Sequence, residues 1–434
     1  MANVQYKIGT GLLHRLTIKN TLTPSTTIAI KPLAIELSYY ETVMSISKSM
    51  TISLIDSTDL QYSLPLVGGE EVAYNFSDSS NIHELSGTMR LYKLSGGMRL
   101  KRGVDSYNLF LTTEEQYRDF YTAVNQSMGP DSARDIIAQI FKSTIGKTSN
   151  KKLITLDETR GLHQFVFPRI SPFSAINLVT KEASSDKLNT SSYMVFFENN
   201  EGYHFTSIEN LFSKPVSATY IYTEDQITGD TEIEDKRMIS YSHDQSFDVL
   251  NGIAKGQFGS RVSRIDMLTK SISTDEYSYK NDFNTIERMG GTNKTISAAI
   301  ENEIGIKPVR EKFIISNESS PNSPYVSGQG QSQMVSVRKH NDNSNEISAR
   351  AQLSNNVLKC AVYGNSKLRA GQTVQLIIPA TGVRTISDIS NNTLSGKYLI
   401  TELCHRFTPQ DDKYITTMNC VRDSFNEPIE SGRF

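Results

Sequence analysis

From Leu12 to about Thr112, apolar and polar residues alternate in short runs broken by turn residues. The run 50-MTISLIDSTD-59 puts Met50, Ile52 and Leu54 at every second position, the spacing of a strand with one buried face. The next run, 60-LQYSLPLVGGEEVAYNF-76, carries a proline and a Gly-Gly turn before a second alternation, and others follow at 85-LSGTMRLYKL-94 and 106-SYNLFLTT-113. Short strands at this interval, joined by glycine-containing turns, predict a closed barrel or a sandwich rather than βαβ units.

The period then changes. In 131-DSARDIIAQIFKSTIG-146, Ala133, Ile136, Ile137, Ile140 and Phe141 recur at helical spacing behind an Asp-Ser cap and ahead of a glycine, which predicts a helix with one buried face. A second helix is predicted at 172-PFSAINLVTKEASS-185, where Pro172 suits the first turn, and a hairpin at 193-YMVFFENNEGYHFTSI-208, turning from Asn199 to Gly202. Strand-rich segments return over 216–242 and 247–271. The tract 316-SNESSPNSPYVSGQGQSQ-333 has almost nothing to bury and reads as a loop or linker, with a polar helix expected over about 338–356. A β-meander follows in 363-YGNSKLRAGQTVQLIIPATG-382 and 395-SGKYLITELCHRFTPQDDKYITTMNCVRD-423. Turns at Ala370–Gln372 and Ser395–Lys397 set its register, Pro379 fits a strand end, and the tail from Ser424 is expected to be mobile.

Length and charge narrow the reading. At about 150 residues per domain, 434 residues predict about three domains. A composition 37% apolar and 21% charged is that of a folded protein, and 45 basic against 47 acidic residues give no global attraction to nucleic acid or anionic membrane. The N-terminal twenty residues lack the apolar core of a signal peptide and no run approaches the ~18 apolar residues of a membrane helix, so folding in a cytoplasm is expected. Cys360, Cys404 and Cys420 have no CxxC spacing and read as reduced core residues, Cys404 and Cys420 on neighbouring strands of one meander.

No local pattern carries catalysis. The stretch 145-IGKT-148 has the end of a phosphate loop, but Phe141 stands where the first glycine is required and a helix precedes it. Gly256 and Gly259 lack the third glycine of a dinucleotide loop and read as a turn. The histidines at 14, 83, 163, 204, 243, 340 and 405 have no metal-ligand spacing, and Ser260, Ser387 and Ser395 have no nucleophile-elbow context. The acid pairs Glu70–Glu71, Glu114–Glu115 and Asp411–Asp412 point to opposite faces and read as solvated turn or edge residues. The basic stretch 97-GMRLKRG-103 reads as a soluble loop tip that is able to meet an acidic protein patch. No catalytic, cofactor-binding or metal-binding residue is therefore assigned.

Three segments in order carry a resemblance: 50-MTISLIDSTDLQYSLPLVGGEEVAYNF-76, 256-GQFGSRVSRIDMLTKS-271, and the glycine, turn and apolar pattern from Gly364 to Ser424. The chain resembles the baseplate hub proteins of contractile-tailed bacteriophages. The resemblance implies an α+β, mainly β fold, with two tail-tube-like β-barrel domains plus an α+β domain. The implied division is a first barrel over 1–113, an α+β domain over 114–212, the first part of a second barrel over 213–245, a return to the α+β domain with the polar linker over 246–335, the rest of the second barrel over 336–428, and a tail over 429–434. It also implies a homotrimer whose six barrels form a ring adapting a sixfold tail tube to a threefold spike. Expected partners are the chain itself, a spike protein, a tail tube or tube-initiator protein, baseplate wedge proteins and a tape measure protein, with DNA only in transit past a neutral or acidic wall. The expected place is the virion's tail baseplate. A cell-wall hydrolase and a receptor-binding virion protein are the alternatives.

Overall fold

The computed structural model describes residues 8–21, 26–80, 82–147, 149, 151–187, 191, 193–223, 234–245, 248–266, 270–290, 294, 310–316, 342–354, 356–380 and 394–425. The linker expected over 316–333, beyond Ser316, the first four residues of the helix expected over 338–356, and the tail from 426 lie outside the described residues.

Strands β1 (Gly11–Lys19), β2 (Thr27–Ala29), β3 (Ala34–Thr42), β4 (Ser49–Asp56), β5 (Glu71–Asp78), β6 (Glu84–Lys101) and β7 (Val104–Thr112) come first, with helix α1 (Leu60–Ser63) among them. Helices then mix with strands: α2 (Glu114–Asp119), β8 (Val124–Asp131), α3 (Ala133–Ser143), β9 (Leu153–Leu156), β10 (His163–Ile170), α4 (Pro172–Glu182), β11 (Met194–Glu198), β12 (Tyr203–Ser207) and α5 (Ile208–Phe212). Next come β13 (Val216–Tyr222), β14 (Arg237–Gln245), α6 (Val249–Lys255), β15 (Gly259–Asp266), β16 (Ser271–Ser278), α7 (Tyr279–Asp282) and β17 (Arg310–Ser316). The chain closes with α8 (Asp342–Leu353), β18 (Val357–Tyr363), β19 (Thr373–Ile377), β20 (Gly396–Thr408) and β21 (Lys413–Val421).

Alternation in sequence becomes alternation in burial. Met50, Ile52 and Leu54 of β4 all point into one core while their neighbours are half-exposed. The helices start on side-chain caps: Ser132 accepts from the Asp135 N–H at α3, and Ser171 from the Ser174 N–H at α4, with Pro172 in the first turn. Several short helices stand where none is expected from the sequence, α2 and α6 the longest of them. Thr113 caps α2 by accepting from the Gln116 N–H, and Asp248 caps α6, which ends at Gly256 with φ 83°. Helical spacing needs more than the six and seven residues of these elements to show itself in a sequence.

Thirteen strands form one sheet in the order β19-β13-β14-β18-β21-β20-β3-β4-β7-β6-β5-β1-β2, and β19 also pairs with β20. That extra pairing closes the first six strands into a barrel. Its interior is filled by Tyr220, Leu358, Leu376, Tyr398, Met418 and other buried side chains, so it is a packed body and not a pore. Strand β20 runs on beyond the barrel: after an irregularity between Ile400 and Glu402, residues Glu402–Phe407 pair with Thr42–Leu37 of β3. The remaining seven strands curl until the start of β1 returns to the tip of the β20–β21 hairpin. There Thr10 bridges Lys413, the Gly11 N–H reaches the Asp412 carbonyl at 2.9 Å, and the Tyr414 N–H reaches the Gly9 carbonyl at 2.9 Å. Phe407 and Tyr414, from that tip, are buried among Leu16, Tyr39, Phe76 and Leu109 of the curled limb. One hairpin thus belongs to two barrel-like bodies, and the chain is mainly β.

Beside them, β11, β12 and β9 form a small sheet buried on both faces. Met194, Phe196, Tyr203 and Phe205 meet α3 and α4, while Val195 and Phe197 join Leu399 and Val421 from the end of the barrel. A separate sheet of β16-β15-β17 carries α6 and α7, with Phe258, Tyr277, Tyr279 and Phe283 in its core.

Candidate assembly interface

Strand β6 is paired with β5 only through Glu84–Arg90, and with β7 along Arg90–Lys101. From Tyr92 to Lys101 its outer edge meets no other strand among the described residues. This is a free edge ten residues long, and a row of unpaired backbone N–H and C=O groups is a template for another strand. Tyr92, Leu94, Met98 and Leu100 are exposed along it, interleaved with Lys93, Arg99 and Lys101. The basic stretch expected as a loop tip therefore lies largely within a strand, because β7 continues far enough to pair it. Gly96, at φ 75°, takes up the register shift between Ser95 and Met98. Arg99 and Asp105 form a bidentate pair across the hairpin at 2.8 and 3.0 Å. The terminal strand β2 is only three residues long.

The segment 364–372 seats the barrel on the curled limb. Ser366 Oγ donates to Asp78 at the end of β5, at 2.7 Å, and the Ala370 N–H donates to Glu41 of β3, at 3.1 Å. Glu41 also accepts from Tyr39 Oη at 2.9 Å; burial pushes its carboxyl up, and the Arg369 guanidinium opposes that push. A second lock joins the limb to the small sheet. Lys151 lies between Glu115 of α2 and Glu198 of β11, 2.7 Å from the latter, and Lys48 stands 3.9 Å from Glu198 on its other side. Glu198 is wholly buried and held by ion pairing rather than by aligned hydrogen bonds. Burial raises the Glu115 carboxyl, but Lys151 and Ser149 more than offset this and leave it below the ordinary value.

Two solved structures share this arrangement along nearly the whole chain. The tail protein of Neisseria meningitidis matches with a TM-score of 0.53 at 10% identity, over 95% of this chain and 99% of its own. The chain has the fold of phage tail proteins. The 43 kDa tail protein of the Shewanella oneidensis prophage MuSo2 matches equally, with a TM-score of 0.53 at 10% identity, over 94% of this chain and 97% of its own. No protein-family model matches the chain, and no curated protein matches it in sequence.

Within this tail-protein fold, several of the residues weighed for chemistry are held in structural contacts. Phe141 packs edge-on against Tyr203, 5.1 Å between ring centres, and Ile145 joins the same core; Thr148 lies outside the described residues. Ser260 Oγ donates to the Ser344 carbonyl, and Ser395 Oγ to the Ile378 carbonyl; Ser387 lies outside the described residues. His204 lies between Thr155 Oγ1 at 2.9 Å and Asn199 Oδ1 at 3.1 Å, and the Nδ1 of His405 meets both Tyr414 Oη at 2.8 Å and Thr416 Oγ1 at 3.3 Å. Burial lowers their pKa values to about 4 and about 3. Among the described residues no three His, Cys, Asp or Glu side chains gather as metal ligands.

The acid pairs need a correction. One member of each of two pairs is buried, not solvated: Glu70 accepts from the Val67 and Gly68 N–H groups, and Glu115 meets Lys151. Their neighbours Glu71 and Glu114 are half-buried, and Glu114 pairs with Arg90 and Arg118. All three cysteines are free. Cys360 faces Cys420 across β18 and β21, offset by one pair of residues, because Leu358 stands opposite Cys420. Cys404 stands opposite Thr417.

Proposed function

We propose that this chain is the structural hub of a phage tail baseplate. Three copies form a ring with near-sixfold outline, each copy giving two tube-like barrels, one from residues 1–113 and one from 213–245 with 336–428. The ring joins a sixfold tail tube to a threefold spike and lets DNA pass through its channel, with the α+β parts, 114–212 and 246–335, at the spike end. The partners are the spike, a tube or tube-initiator protein, wedge proteins and a tape measure protein. The place of action is the virion baseplate, after assembly in the host cytoplasm, and the protein turns nothing over.

The observation that carries this reading is the pairing of two barrel-like bodies through one hairpin, with the free β6 edge beside them. Two such bodies per subunit convert threefold into near-sixfold symmetry, and a free edge gives the neighbouring subunit backbone to pair with. The tail-protein fold along almost the full chain supports it. Light scattering on the purified chain, alone and with the spike, tests it. Three times the 48.5 kDa chain mass is expected in at least one of these conditions. A monomer that persists with the spike present overturns it.

A further inference from the structure

A cleft of about 440 Å³ opens between the end of α6, strand β17 and helix α8. Four cations line it, Lys255, Arg310, Lys312 and Arg350, against one carboxylate, Glu346. The chain as a whole carries a formal charge of −2, so this positive sign is local. Three separate elements supply it. Lys255 ends α6, Arg310 and Lys312 lie on β17, and Arg350 lies on α8.

The cleft is preorganised. Arg310 packs beside Gly256, where an added Cβ would lie 3.0 Å from the Arg310 Cβ and 3.1 Å from Ile347, so the glycine lets the strand close on the helix. Arg310 Nη1 donates to the Ala254 carbonyl at 3.4 Å. Arg350 is held over the Tyr193 ring at 4.8 Å and by Glu346 at 3.1 Å. Lys312 extends into solvent. Arg310 and Lys312 are two apart on one strand, so their side chains share a face at a spacing of ~6.6 Å. On one side β17 pairs with β15 in parallel; among the described residues it pairs with nothing on the other.

We infer that this cleft takes an extended acidic segment of a partner protein, laid along the outer edge of β17. A strand added there repeats its own side chains at the same spacing, so carboxylates two residues apart face Arg310 and Lys312 together. Lys255 and Arg350 close the far wall. Four cations gathered from three elements in one cleft suit a few carboxylates better than a nucleic-acid backbone, whose binding draws on a broad basic surface. The inference rests on the cleft alone and holds whatever the number of subunits.

Fluorescence anisotropy of a labelled hexaglutamate peptide with the full chain tests it, beside hexaglutamine, inorganic phosphate and a twelve-residue oligothymidine as competitors. Saturable, salt-sensitive binding of hexaglutamate is expected, weakened at least about tenfold by Lys312→Glu and unaffected by Lys19→Glu at the exposed end of β1. Lys312 and Arg310 are both exposed, so their variants should melt with the wild type, and Arg310→Glu gives a second reading on the same face of β17. Binding that survives Lys312→Glu in a folded protein overturns the inference. So does tighter binding of oligothymidine or of phosphate than of hexaglutamate.

Discussion

Gly364 shows how much a single residue decides. A Cβ at this position would lie 2.1 Å from the Tyr414 ring, which is fully buried at the hairpin tip shared by the two barrel-like bodies. Gly364→Ala should therefore destabilise the fold by about 1–3 kcal/mol, measured as a lower denaturation midpoint at unchanged slope. His405, beside the same tyrosine, sets a pH dependence. Burial and then the Arg369 guanidinium hold it down to about 3, and burial holds His204 at about 4, against an ordinary value of 6.5. The unfolded chain thus binds protons that the folded one refuses between pH 6.5 and about 3. Stability is unaffected above this window and falls as pH drops through it, by up to ~1.4 kcal/mol per pH unit for each histidine. Glu41 and Glu209, raised by burial, act with the opposite sign. The measurement is therefore a difference: His405→Gln should lose less stability than the wild type between pH 6 and 4, and parallel curves would contradict the assignment. The sequence marks Gly364 as a turn residue and His405 as one of seven scattered histidines; neither shows its partner, because Tyr414 is fifty residues away from the first and reaches both only through pairing of β18, β20 and β21.

At the scale of elements, periodicity foretold what was long and regular. Helices α3 and α4 and the barrel strands announce themselves because each repeats its period several times and ends on a cap, a glycine or a proline. Short α2 and α6 do not, nor does the length of β6, which depends on how far β7 continues beside it. The lock of Lys151 with Glu115 and Glu198 was equally hidden. Its members come from α2, the segment before β9 and β11, and an isolated Glu-Glu or Lys-Lys in the sequence resembles any solvated surface. Lys151→Met leaves Glu198 buried with Lys48 alone, 3.9 Å away, and should cost about 3–5 kcal/mol. Combining it with Glu198→Gln should restore part of that loss in thermal unfolding, since the uncompensated charge is then gone.

For the whole molecule, the resemblance in glycine, turn and apolar pattern pointed to a mainly β chain with two tube-like barrels, and the fold is mainly β, with one closed six-stranded barrel beside the curled limb. What sequence did not convey is that the barrel and the curled limb are one continuous sheet, joined where β20 leaves the first and enters the second. The join follows from a strand of thirteen residues, long enough to line both bodies, and from an irregularity at Thr401 that redirects it. In the proposed hub, the free β6 edge is the place where copies meet. Replacing both Tyr92 and Met98 by lysine should separate the copies in light scattering while leaving the melting temperature of the single chain near the wild type, because both side chains are exposed.

The most direct measurement is end-on electron microscopy of the purified chain together with its spike. Three copies should appear as a hollow ring of six lobes, alternating in two kinds because the closed barrel and the curled limb differ. A three-lobed particle, or separate single chains beside an unattached spike, would contradict the hub.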